Sequence, residues 1–195
     1  MHLLLDKMSA TVIVMTLFLM IFTVNARNGK TMAETTAFYD MTTQTEAFAK
    51  ILRRDLQSIA NIFTIAEDPQ PDGSTEFRFE SRIGLDTTLH AITYKKKFSQ
   101  TRTFTRRFIT GGVDSVYTID FYTIERLVDG VVAGGSMDNL TDWEIRALNE
   151  DAGTITDPDD AAQIYVRFEA ASPTFDMDVV QRILWESRFF PPLLN

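Results

Sequence analysis

The chain has 195 residues, with 19 lysines and arginines against 27 aspartates and glutamates, a formal net charge of −8 and no cysteine. That length suits one domain plus an anchor. The acidic balance argues against nucleic-acid binding by the surface as a whole. The lack of thiols excludes disulfides, thiol catalysis and cysteine-ligated metal.

Residues 8–26 (MSATVIVMTLFLMIFTVNA) carry no charge and reach the lower length limit of a bilayer-crossing helix. Lys7 precedes the segment, and Arg27 and Lys30 follow it, so its basic flanks set no clear orientation. Val24-Asn25-Ala26 offers the small residues of a signal-peptidase site, which is the competing reading. Gly29 is the point where a helix interior would bend or melt locally. Beyond it, Phe38, Met41, Thr45, Phe48, Leu52, Ile59 and Ile62 recur at spacings of three and four, with a gap at Asp55. Ala47, Ile51, Leu56 and Phe63 widen this stripe, and Glu34, Asp40, Glu46, Lys50, Arg53 and Arg54 occupy the opposite face. The pattern predicts an amphipathic helix over 31–65 lying on a core.

Residues 67–73 (EDPQPDG) are turn chemistry throughout. Strands are expected at 75–82, 89–94, 101–109, 115–125, 162–170 and 179–190, the last with a short helix as its alternative, and a turn at Gly111-Gly112. Residues 132–160 read mostly as loop, with a short strand or helical turn at 143–148. The fold class is therefore α+β, a long N-terminal helix packed on an antiparallel sheet. Its first half, 1–30, spans the membrane. The remainder, 31–195, forms a soluble domain with its sheet over 75–190.

Lys95, Lys96, Lys97, Arg102, Arg106 and Arg107 fall in one hairpin that contains no acid, interleaved with Phe98, Phe104 and Phe108. Bases with aromatics can bind single-stranded nucleic acid. An exposed hairpin with bases out and rings in produces the same pattern. A third reading is a charged contact surface meeting an acidic face of a neighbouring subunit in a head-to-tail assembly. Asp157, Asp159 and Asp160 supply the hard oxygen ligands that calcium takes, although their spacing is not that of an EF-hand and a solvated acidic loop looks the same. No other cofactor is suggested. The histidines are His2 and His90, and no nucleophile elbow, P-loop or HExxH occurs, so the chain is not expected to be an enzyme or to take a small-molecule substrate.

Several pieces in order resemble the type IV pilin-like proteins, most of all the minor J-type pseudopilins of type II secretion and the minor pilins. They are residues 44–59 (QTEAFAKILRRDLQSI) with the basic-Asp-Leu element Arg54-Asp55-Leu56, then Ala91-Ile92-Thr93-Tyr94, then residues 160–166 (DAAQIYV), and the ending Trp185-Glu186-Ser187-Arg188-Phe189-Phe190-Pro191. The family carries an acidic residue five positions into its mature helix, and His2-Leu3-Leu4-Leu5-Asp6 places Asp6 in that role. The basic leader and processing glycine that mark the family are not among these residues, and Asp6 with Lys7 also fits the interfacial flank of a membrane helix. The resemblance implies a subunit of a filament or secretion pseudopilus. Such a subunit would be anchored in a bacterial inner membrane with its domain in the periplasm. It would act by assembly with other pilin-like subunits or membrane-complex proteins. Asp6, Thr11, Thr16, Leu17 and Thr23 are the candidate assembly residues, since packing and polar contacts, not hydrophobic gain, bring helices together in lipid. The alternative is a non-polymerising single-pass envelope protein whose domain binds a partner within a membrane complex.

Overall fold

A computed structural model describes residues 2–83, 88–106, 115–172 and 180–192, with the side chains of residues 2–6, 9 and 106 left undescribed. The chain divides into two units, Met1–Tyr39 and Asp40–Asn195. Helix α1 (His2–Gln57) runs unbroken through Gly29, so the helix does not melt there. In the first unit every described side chain from residue 10 to residue 33 is exposed.

In the second unit, residues 40–57 of α1 pack on an antiparallel sheet. Its strands are β1 (Ile59–Ile62), β2 (Asp68–Pro69), β3 (Thr75–Arg82), β4 (Leu89–Arg106), β5 (Ser115–Val128), β6 (Val131–Val132), β7 (Met137–Leu148), β8 (Gln163–Ala171) and β9 (Arg182–Phe189). The order across the sheet is β1-β3-β4-β5-β7-β8-β9, with β2 pairing to β3 and β6 to β5. This is the α+β architecture expected, a long helix on an antiparallel sheet, and in general terms it is pilin-like. The Gly111-Gly112 turn and Arg107 lie outside the described residues.

The helix stripe seats the core. Met41, Phe48, Leu52 and Leu56 are buried, and the Phe48 ring lies 5.3 Å from Phe168, 5.9 Å from Trp143 and 6.2 Å from Tyr94. Aromatic contacts of this geometry add to the gain from burial alone. Ala47 is exposed and does not belong to the stripe.

Two boundaries differ from expectation. The helix ends at Gln57, well before residue 65, yet Ile59 and Ile62 are buried. Both face the core from β1, where a bulge between Ile59 and Asn61 shifts the register against β3. The extra residue turns an odd spacing inward, so a bulged strand copies the helical period of three. Phe63 lies beyond β1 and is 46% exposed. The second difference is β7, a twelve-residue strand where mostly loop was expected. Its core positions are Leu140, Trp143, Ile145 and Ala147, and a bulge between Leu140 and Asp142 breaks the alternation. Asp138, Asn139, Asp142 and Glu144 gave that stretch the composition of a loop.

Candidate functional site

The apolar half of α1 presents its side chains to the surroundings. Val12, Ile13, Val14, Met15, Leu17, Phe18, Leu19, Met20, Ile21, Phe22 and Val24 are each at least 53% exposed. This helix is long and apolar enough to cross a membrane. An exposed run of this kind in water would be a large uncovered apolar surface, which soluble monomers avoid. The hydroxyls of Thr11, Thr16 and Thr23 donate to the carbonyls of Lys7, Val12 and Leu19 at 2.7–2.8 Å. That back-bonding lets threonine sit in an apolar helix with its hydroxyl satisfied. Leu17 is exposed between two of them, while the Asp6 side chain lies outside the described residues.

The gap in the helix stripe is the most polar point of the core. Asp55 is fully buried, and its carboxylate accepts from the Tyr94 hydroxyl at 2.9 Å, Arg126 Nε at 2.5 Å and Arg126 Nη2 at 3.2 Å. Arg54 adds a further contact at 3.2 Å. The Asp55 carbonyl accepts from Ser81 Oγ at 2.8 Å, and Arg126 Nη1 donates to the Gly134 carbonyl at 3.3 Å. One residue near the helix end thus joins β3, β4, β5 and the turn after β6. Burial, and then the Asp55 carboxylate, push the Tyr94 hydroxyl well above its ordinary pKa. Burial opposes the charge on Arg126, but the hydrogen bonds and charge of Asp55 outweigh it, and the guanidinium is held protonated more firmly than usual. The arrangement fits a structural tie, because Asp55, Tyr94 and Arg126 are buried and paired with one another. Sequence reading passed over it. The available signal was a carboxylate standing where the helical period calls for an apolar residue.

The lysine run is paired within the fold. Lys95 lies 2.9 Å from Asp72 and 3.0 Å from Glu76, Lys96 lies 3.4 Å from Glu67, and Lys97 lies 2.6 Å from Glu125. The hairpin expected of these bases is instead one long strand, β4, which carries Lys95 through Arg106, and the β2–β3 region and β5 bring acids to each lysine. Arg102 lies over the Phe121 ring at 5.7 Å. Arg106 is in β4 with its side chain undescribed, and Arg107 is outside the described residues. Phe104 is buried as expected, but Phe98 is 57% exposed, because a bulge after it shifts the register against β5.

Asp157 caps a 3-10 turn over Pro158–Asp160, its carboxylate accepting from the Asp159 backbone at 3.1 Å. Among the described residues no group of three or more His, Cys, Asp and Glu is placed to hold a metal ion. His90 pairs through Nδ1 with the Asp129 carboxylate at 2.8 Å on the surface. Comparison of the chain with protein-family models, curated proteins and solved structures finds no match.

Proposed function

We propose that this chain is a membrane-anchored structural subunit that works by assembly, with its N-terminal helix as the assembling element. One observation carries the reading. An uncharged apolar helix half is exposed along its length, while the amphipathic half of the same helix is covered by the protein's own sheet. Lipid satisfies such a surface in the membrane, and equivalent helices satisfy it in a filament core. Transfer between the two gives little hydrophobic gain, so close packing and polar contacts must supply specificity. The general pilin-like layout and the resemblances at 44–59, 160–166 and the C-terminus favour a minor pseudopilin or minor pilin. With that reading goes a single-pass protein of a bacterial inner membrane with its domain in the periplasm, acting by assembly and not by catalysis.

The test is crosslinking. The chain has no native cysteine, so Leu17→Cys and Phe18→Cys are silent backgrounds for disulfide capture in membranes. A filament subunit yields disulfide-linked dimers with either single cysteine and ladders with both in one chain, and a solitary anchor yields monomer. Intact mass and N-terminal sequencing add a second arm. A mature start at Arg27 would identify a cleaved signal and end the filament reading.

The second reading is a non-polymerising envelope protein whose domain binds a partner in a membrane complex. The pairing of Lys95, Lys96 and Lys97 inside the fold favours it, since those charges are already engaged and give a head-to-tail polymer less to hold.

A further inference from the structure

The sheet ends on β9, and among the described residues no strand pairs with its outer edge. Long edge strands are usually blunted by an inward-pointing charge, a proline or a covering element. Here Ile183, Trp185, Ser187 and Phe189 form the inward face of β9, and the charges Arg182, Glu186 and Arg188 all point outward. The inward face carries no charge, and proline comes only after the strand, at Pro191.

The helix overhangs this edge. Thr42, Thr45, Glu46, Ala49, Lys50 and Arg53 of α1 line a groove of about 490 Å³ with Ile183 and Trp185 of β9. Its floor is apolar. Thr45 is 3% exposed, and its hydroxyl makes no hydrogen bond. Lys50 and Arg53 stand on the wall, and no ion pair involves either of them among the described residues.

We propose that this edge and groove form a docking site for an extended segment of a partner protein. The segment adds to β9 as a further strand, and one apolar and one acidic side chain face the helix. Each part of this follows from the geometry. A row of unpaired backbone donors and acceptors is matched by another extended backbone, which is the basis of recognition by strand addition. The added strand lies about 4.8 Å beyond β9, and its alternate side chains fall on the helix-facing side, where the groove is. An apolar side chain there covers Ile183 and Trp185. A carboxylate one position of the same face away meets Lys50 and Arg53, which are exposed on the helix wall. The site uses only residues of the second unit, so it stands or falls apart from the membrane-helix reading.

The test presents random dodecapeptides, displayed on phage, to the full chain held in lipid nanodiscs. Enriched peptides are synthesised and their affinity read from Trp185 fluorescence, with Trp185→Phe as the signal control. The Lys50→Glu/Arg53→Glu variant serves as the counter-target, since both side chains are exposed and their replacement spares the core. The expected result is a set of peptides with alternating apolar and acidic positions that bind the double variant at least tenfold more weakly. N-methylation of their mid-strand amides should weaken binding by a similar factor. Failure to enrich any peptide, equal binding to the double variant, or indifference to N-methylation would each overturn the proposal. So would a Leu184→Cys chain that forms a disulfide dimer across the edge, since that would assign β9 to a second copy of this chain.

Discussion

At the scale of single residues, Asp55 and Arg126 matter most. A buried pair is poor evidence for stability in itself, because desolvation offsets much of the attraction, but breaking one is costly. Asp55→Ala should cost about 3–5 kcal/mol in denaturant unfolding of the detergent-solubilised chain, because Arg126 is left charged and unpaired inside. The double change Asp55→Leu/Arg126→Met should recover most of that loss, and a double variant as unstable as the single one would contradict this account. Tyr94→Phe should cost ~2 kcal/mol, the scale of a hydrogen bond to a charged group. The folded protein holds the Tyr94 proton more tightly than the unfolded chain does. Its stabilising effect is therefore complete below about pH 10 and is lost as pH rises through the raised folded value. Tyr94→Phe should flatten the alkaline decline of stability measured against pH.

At the scale of elements, two glycines separate local from tertiary control. Gly29 lies in the helix interior, and nothing approaches the position a Cβ would take. Gly29→Ala should therefore stabilise that stretch by about 0.5–1 kcal/mol, seen as slower amide exchange around residue 29. Gly135 has φ +100°, and a Cβ there would meet Ile51 at 2.9 Å and Arg126 at 3.2 Å. Gly135→Ala should lower the unfolding midpoint, because backbone conformation and space both oppose it. A neutral Gly135→Ala would mean that the turn after β6 does not hold Arg126 in place. The β7 strand teaches a related lesson. Its alternation is real but interrupted by a bulge, so no window of the sequence shows it cleanly.

At the scale of the whole molecule, acid titration and membrane association are the useful measurements. Hydrogen bonds from the Ser74 side chain, then Lys95, then the Ser74 backbone hold the Asp72 carboxyl well below its usual range. His90, then the Ala91 amide, do the same for Asp129. Depressed carboxyl groups contribute stability that is present above about pH 4 and lost as pH falls through their lower folded values. An Asp72→Asn/Asp129→Asn variant should lose part of the acid-side decline in Tm. The effect should be small, because both carboxylates face water. The whole chain should also sediment with membranes and resist carbonate extraction, whereas the exposed run from Val12 to Val24 replaced by serines should release it.

What the sequence by itself determined were the features written in local pattern. The apolar N-terminal half of α1, the amphipathic stripe from Met41 to Leu56 and the alternating strands β3 and β8 follow from periodicity, because each element's burial repeats with its own geometry. Only the tertiary structure decided which charges are spoken for. Asp55 reads as a flaw in a helix until β4 and β5 bring Tyr94 and Arg126 to it. Lys95, Lys96 and Lys97 read as a free basic patch until Glu67 and Asp72 on either side of β2, Glu76 on β3 and Glu125 on β5 meet them. The bulge that turns Ile59 and Ile62 inward together and the open edge of β9 are likewise properties of strand pairing. The physical reason is the same in each case. Periodicity is carried by neighbours along the chain, whereas charge compensation, register and edges depend on residues that meet only after the sheet has formed.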